Sequence, residues 1–337
     1  MINKELNVLA EQRIEDGLIS VIMSTYNRSS DFLRESMESI LNQTYRNFEF
    51  IIIDDGSDNG TKELIESYRD PRIRLVINEK NIGLTHSLNK ALDLCRGEFI
   101  ARMDDDDIAL PERFEKQFAY MRQHPDVIVC GTWVDVIDGS GRLTGKVKHY
   151  LIEDMEAYRI YLLFGNHPNI THPSAMINRR LFLENHLRYE PDYNLAEDYR
   201  LWLRCAAIGK CAILQEVLLK YRRHSGSISV AKEQRQANVD YVIIQEQLDA
   251  LHLTLPDELK ELHHYLLSRQ YYLQENNNRS LRKWLDQIIK ANRKYRVYDP
   301  EKLERILRNR WKELRRYAFH WQISRIHRGL RRLLKSR

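Results

Sequence analysis

Phe99-Ile100-Ala101-Arg102-Met103-Asp104-Asp105-Asp106-Asp107-Ile108 is the stretch on which the reading of this chain turns. A short apolar run passes directly into four consecutive carboxylates, with Pro111 close behind. Four adjacent like charges repel, and none is buried cheaply without a counter-charge. A strand that ends in this way builds an oxygen-ligand site for a hard divalent cation such as Mg²⁺ or Mn²⁺. The plainer reading is a solvated acidic loop before a helix, with Asp107 or a neighbour as its cap. Spacing alone leaves both open, so the surroundings of the cluster have to choose.

Upstream, strand and helix alternate. Ile19 to Ser24 reads as a buried strand, and Asp31 to Leu41 carries Phe32, Leu33, Met37, Ile40 and Leu41 at helical spacing. Phe48 to Ile53 is a β-prone run that stops at Asp54-Asp55-Gly56-Ser57. A helix over 61–68, a strand over 73–77 and a helix from Leu84 to Leu92 follow. Such alternation predicts a parallel sheet covered on both faces. In such sheets ligands bind at the carboxyl ends of the strands. Loops 24–28, 54–57 and 104–107 all leave strands at that edge.

Downstream, the pattern predicts a helix over 111–124, a strand over 127–136, a tight turn at Asp138-Gly139-Ser140-Gly141 and a helix over 152–164. A strand over 171–177, a helix from Arg179, a core-facing helix within 193–208 and a last strand over 212–221 complete the expectation. Beyond Ser229 the chain loses Gly, gains Gln, Glu, Arg and Leu, and reads as helix alone. The expected organisation is a leader over 1–17, an α/β domain over 18–230 and a basic helical region over 231–337.

Composition sets outer bounds. The chain has 337 residues, 43% hydrophobic and 30% charged, as expected of a globular protein rather than a disordered one. No apolar run approaches the ~20 residues of a membrane span. Met1 to Leu6 lacks the apolar core of a secretory signal, so a cytoplasmic protein is expected. Cys95, Cys130, Cys205 and Cys211 have neither metal-ligand nor redox spacing and read as buried free thiols. The net charge of +5 is uneven: residues 279–337 hold 20 Lys/Arg against 5 Asp/Glu, which leaves the rest acidic. That asymmetry suggests a second module with an acidic partner.

Ser20-Val21-Ile22-Met23-Ser24-Thr25-Tyr26-Asn27, Ile53-Asp54-Asp55-Gly56-Ser57, Asn81-Ile82-Gly83-Leu84, Met103 to Asp107 and Glu197-Asp198 stand in that order. In this combination residues 18–229 resemble the family 2 glycosyltransferases, inverting enzymes of the GT-A fold that use nucleotide-diphosphate sugars. The resemblance implies an α/β fold, a Rossmann-like mixed or parallel sheet flanked by helices, here with a C-terminal all-α extension. The chemistry accounts for the residue types. Sugar transfer from a nucleoside diphosphate passes through an oxocarbenium-like transition state. The departing diphosphate needs a cation, and the attacking hydroxyl needs a general base on the opposite face.

Carried over position by position, the resemblance makes Asp106 a ligand of Mn²⁺ or Mg²⁺. It sets Asp104 and Asp105 around ribose and diphosphate, with Asp107 structural. Ser24 and Tyr26 fall in the nucleobase loop, and Asp55 matches the acid at the uracil edge, with Asp54 as the alternative supporting residue. Asn81, Gly83 and Leu84 lie over the nucleotide, although Gly83 is equally explained as a loop glycine. Asp198 matches the catalytic base, with Glu197 beside it; an acid pair at a helix start is the plainer alternative. His224 completes a metal shell, contacts phosphate or lies on the surface. His172 lines the acceptor side or is a satisfied structural histidine.

The polymerising relatives' Gln-x-x-Arg-Trp motif and membrane helices do not occur here, so a single-addition transferase is expected. The donor is a nucleotide-diphosphate sugar, UDP-sugar favoured, and the acceptor a glycan or lipid-linked glycan of surface polysaccharide biosynthesis. Two apolar stripes flanked by Arg, over 302–316 and from Trp321 onward, suit either contact with an anionic membrane or a packed helical bundle. Two other activities compete: a nucleotidyltransferase, which would need a Gly-rich, basic triphosphate loop absent near Thr25, and a nucleic-acid-binding protein working through the tail, for which no motif is present.

Overall fold

The computed structural model describes residues 14–148, 152, 154–165, 170–224, 226–227, 233–264, 266 and 278–315. These fall into two compact units, one drawn from Met1–Glu153 with Asn169–Val239, the other from Asp154–Pro168 with Asp240–Arg337.

In chain order the elements are β1 (Glu15–Thr25), α1 (Ser30–Leu41), β2 (Phe48–Asp54), α2 (Thr61–Ser67), β3 (Ile73–Ile77), α3 (Leu84–Leu94), β4 (Gly97–Arg102), β5 (Ile108–Ala109), α4 (Arg113–Gln123), β6 (Val127–Ile137) and β7 (Leu143–Val147). There follow α5 (Met155–Leu162, in the second unit), β8 (Met176–Asn178), α6 (Arg179–Glu184), α7 (Glu197–Ile208) and β9 (Lys210–Arg222).

The first unit is one mixed sheet in the order β3-β2-β1-β4-β8-β6-β9-β5, with β7 on β6. The expected parallel half is present, β1 pairing in parallel with β2 and β4, and β2 with β3. β8 then runs antiparallel to both β4 and β6. Ile19, Val21, Met23, Phe50, Ile52 and Phe99 meet Leu33, Met37, Ile40 and Phe114 in one core, the arrangement that buries the apolar stripes of α1 and α4 on the sheet.

Register brings the functional loops together. Thr25 stands opposite Asp54, Asp54 opposite Ile77, and Ile22 opposite Arg102. The Met103 amide then donates to Ile22 O at 3.0 Å, so the acidic run leaves the sheet beside the end of β1.

Several local expectations are corrected. Residues 172–174 form a 3₁₀ turn, and only Met176–Asn178 is strand; Pro173 has no amide hydrogen to give to a ladder. β5 and β7 were not expected: one has two residues, and the other is an exposed edge with a central glycine. The helix within 193–208 begins at Glu197, after a 3₁₀ turn at Pro191–Tyr193. All four cysteines are buried free thiols, as expected.

The second unit is helical in its described parts. It contains α5, most of α8 (Glu233–Asp249), α9 (Lys260–His264), α10 (Asn278–Tyr295) and a helical stretch over 300–315. In α10 Leu281, Trp284, Leu285, Ile288 and Ile289 are buried at helical spacing. Of the first tail stripe, Leu303, Leu307 and Leu314 are buried, so those positions are spent on packing. The second stripe, from Trp321 on, lies outside the described residues. Among the described residues no helix is long and apolar enough to cross a membrane.

Candidate active site

The ends of β1, β2 and β4 build one wall. Asn27 adopts a left-handed φ of 49°, a conformation its short polar side chain tolerates. Its amide donates to Ser57 Oγ at 2.9 Å, and its Oδ1 accepts from the Asp58 amide at 3.0 Å. Asp54 accepts from the Ser57 amide at 3.0 Å. Asp55 is buried and spends both oxygens on the next loop: Oδ1 accepts from Asn78 Nδ2 at 2.7 Å and the Ile82 amide at 3.0 Å, and Oδ2 from the Gly83 amide at 2.9 Å. Tyr26 is half exposed beside this wall, Ser24 is partly buried, and Asn81 is exposed.

The four carboxylates have four different surroundings. Asp104 is held by the fully buried Arg102 guanidinium. Asp105 accepts from Arg28 Nε at 2.7 Å. Asp106 Oδ2 lies 3.2 Å from Arg28 Nη1 and 3.0 Å from His224 Nε2. Asp107 Oδ1 accepts from the Arg222 amide at 2.7 Å, while its Oδ2 is buried without a hydrogen-bond partner. Arg222 adds a bond from Nε to the Asp106 carbonyl at 2.7 Å and pairs with Glu35.

Burial raises the pKa of Asp104 despite Arg102, and raises that of Asp107 strongly, with Asp104 and Asp106 adding repulsion. Burial also lifts Asp105, to about 6, although Arg28 works against it. One ligand atom from each of Asp104, Asp106 and Asp107 falls within 4.8 Å of the others. Three converging oxygen donors, one carrying an orphaned buried oxygen, fit a hard divalent cation. The trio includes Asp107, which the sequence reading treats as structural, whereas Asp105 faces Arg28.

A second group of side chains gathers around α7. Glu197 is buried, and its Oε2 accepts from the amide of Leu195, a residue with a left-handed φ of 87°. Burial raises the Glu197 pKa; its backbone hydrogen bonds and the charge of Arg102 pull the other way, and Asp104 pushes up again. The start of α7 is thus within electrostatic reach of the acidic cluster. Asp198 is partly exposed, and its Oδ1 accepts from the Tyr199 amide at 2.7 Å. His172 Nε2 and the Tyr189 hydroxyl are 2.8 Å apart, with Trp202 edge-on to the imidazole at 6.1 Å. Burial and then the charge of Arg102 hold His172 well below its ordinary pKa, so it is neutral.

The His224 tautomer follows from its partners. The Gly226 amide donates to Nδ1 at 3.1 Å, so the ring hydrogen is on Nε2 and points to Asp106.

Residues 20–185 match the family model described as glycosyl transferase family 2. The glycosyltransferase MJ1057 of Methanocaldococcus jannaschii is 40% identical over 215 residues, covering 62% of this chain and 72% of that protein. The chain belongs to glycosyl transferase family 2. This membership decides between the enzyme readings in favour of a glycosyltransferase over a nucleotidyltransferase. A second glycosyltransferase of the family, the O-antigen biosynthesis protein WbnJ of Escherichia coli, is 37% identical over 218 residues, covering 62% of this chain and 81% of its own. In fold, this family 2 glycosyltransferase is like residues 1–349 of Staphylococcus aureus TarS in complex with UDP-GlcNAc. The TM-score is 0.56 and the identity 19%, with 91% of this chain and 92% of that one covered. The GT-A fold expected from the motifs is therefore the fold of the first unit.

Three cations of this glycosyltransferase escaped the sequence reading: Arg28, Arg102 and Arg222. Arg28 directly follows one motif and Arg102 directly precedes another, and both could have been nominated as counter-charges for an acidic run that cannot be buried alone. Arg222 reaches the cluster from β9, which no local signal announces.

Proposed function

We propose that this glycosyltransferase moves one sugar from a nucleotide-diphosphate sugar, UDP-sugar favoured, to a glycan or lipid-linked acceptor of surface polysaccharide biosynthesis, with inversion at the anomeric carbon. The convergence of the β1, β2 and β4 ends with the start of α7 carries the reading. The name of the relative WbnJ supports the pathway, and the TarS complex with UDP-GlcNAc supports the donor class.

On this reading Tyr26, Ser24 and the loop that Asp55 organises receive the nucleobase, with Asn81 and Gly83 over the nucleotide. Asp104, Asp106 and Asp107 would hold Mn²⁺ or Mg²⁺, which supplies Lewis-acid stabilisation of the leaving diphosphate. His224, with its hydrogen on Nε2, is set to donate to phosphate; ligation of a metal through Nε2 would need the other tautomer. Asp198, less buried than Glu197, takes the proton of the acceptor hydroxyl as its oxygen bonds to the anomeric carbon. The bond from that carbon to the diphosphate oxygen breaks, and its electron pair leaves with the nucleotide. Glu197 braces the loop through Leu195, and neutral His172 with Tyr189 lines the acceptor side. The basic residues of 279–337 favour work at the cytoplasmic face of an anionic membrane.

A screen of UDP-, GDP- and dTDP-sugars with Mn²⁺, read as release of free nucleotide diphosphate, tests the donor class. Turnover of UDP-sugars above the others is expected. Release from none, with or without acceptor glycans, would remove the reading.

A further inference from the structure

Arg28 carries no step in the reaction just described, yet its side chain contacts two members of the acidic cluster at once. Its guanidinium bridges two carboxylates, Nε to Asp105 Oδ1 at 2.7 Å and Nη1 to Asp106 Oδ2 at 3.2 Å. The side chain is 19% exposed, against 6% for Asp105 and 11% for Asp106, so the pair is shielded on the acid side and open on the cation side. Burial disfavours the charge on Arg28, but Asp105 and Asp106 more than compensate. The guanidinium is a permanent cation.

Asp106 also belongs to the trio of carboxylates that fits a divalent ion. Arg28 and such an ion therefore claim the same carboxylate. Two cations on one buried carboxylate repel strongly at contact distance. An anion lying between them removes the conflict, and a diphosphate has the geometry that a guanidinium fork recognises.

The backbone around Arg28 is pinned. Its carbonyl accepts from Asn59 Nδ2 at 3.1 Å, and the preceding Asn27 is locked to Ser57 and Asp58. Exchange of partners then needs only a side-chain rotation from Asp105 and Asp106 toward a neighbouring phosphate.

We propose that Arg28 is an exchangeable counter-ion of the acidic cluster: it neutralises Asp105 and Asp106 until a nucleoside diphosphate draws it away, and so makes cation and nucleotide bind interdependently. This rests on the metal-assisted reading above and deepens it. A static ion pair that only holds the β1 loop in place predicts no such interdependence.

The test is calorimetric titration of the full chain with Mn²⁺, alone and with saturating UDP, for wild type and Arg28→Gln. In wild type UDP should tighten Mn²⁺ by about tenfold or more, a usual size for coupling between sites. In Arg28→Gln, Mn²⁺ alone should bind about tenfold tighter than in wild type, and the effect of UDP should shrink to about threefold or less. Arg28→Lys, which keeps the charge and loses the fork, serves if the Gln variant does not fold; it should reduce the UDP effect by about threefold or more. An unchanged Mn²⁺ affinity and an unchanged UDP effect in the folded variant would overturn the role of Arg28 alone. Absence of Mn²⁺ binding to wild type even with UDP would overturn the metal-assisted reading, and this proposal with it.

Discussion

Glu197 and Asp198 are neighbours on one helix turn, but their surroundings differ in the way their proposed tasks require. Glu197 is buried and tied to the Leu195 amide, and burial raises its pKa. Asp198 is partly exposed. Asp198→Asn should lower kcat by about 10²- to 10⁴-fold, the usual worth of a general base, while the affinity for UDP measured by calorimetry stays as in wild type. Transfer at the full rate would show that the base lies elsewhere. At this scale the acids were legible in the sequence because they stand in runs at strand ends and a helix start. Arg28 and Arg102 were legible only as charges beside motif residues, and Arg222 was not, since it acts from β9, 116 positions from the Asp106 carbonyl it binds.

Among the elements, the join of β1, β2 and β4 sets where the acidic loop emerges. Glu49 is buried there, accepting from Ser20 Oγ at 2.6 Å and from the Arg96 amide at 2.8 Å, while the Gly97 amide donates to Ser20 Oγ at 2.8 Å. A Cβ on Gly97 would lie 2.6 Å from both Leu18 O and Ser20 N, rigid backbone on a central strand. Gly97→Ala should therefore destabilise by about 1–3 kcal/mol, as overpacking does, measured as a lower urea midpoint with unchanged slope; an unaltered midpoint would deny the close approach. The Ile/Val/Phe runs of β1, β2 and β4 were readable because parallel strands covered on both faces need continuous apolar sequence. β5 and β7 were not: two residues and an exposed edge leave no periodicity to detect. The 3₁₀ turn over 172–174 hid inside a stretch expected as strand, whose Pro173 was the available warning.

For the molecule as a whole, the helical unit carries a pH-dependent element of its own. His263 Nε2 donates to Leu163 O at 2.9 Å, and Trp284 Nε1 donates to His263 Nδ1 at 2.9 Å. Both ring nitrogens are committed in the neutral form, and a second proton would meet the indole N–H head-on. Burial holds the folded pKa at about 4 against an ordinary 6.5; the hydrogen bond to Leu163 O works against this shift, and the neighbouring His264 adds to it. The unfolded chain takes a proton that the folded chain refuses, so stability falls as pH drops from about 6.5 toward 4. Raised carboxylates of the active site act in the opposite sense, so the comparison must isolate His263. The stability of wild type relative to His263→Gln should fall by about 1.4 kcal/mol between pH 7.5 and 5.5, measured by urea unfolding; a constant difference would contradict the buried neutral ring.

The site as a whole stands or falls on the acidic loop acting as a cation-dependent seat for the nucleotide. Calorimetry of UDP binding with and without Mn²⁺, in wild type and Asp106→Asn, asks this directly. Wild type should bind UDP about tenfold or more tightly with Mn²⁺ than without it, and Asp106→Asn should lose that gain while keeping its fold. Equal stimulation by Mn²⁺ in the folded variant would contradict the account.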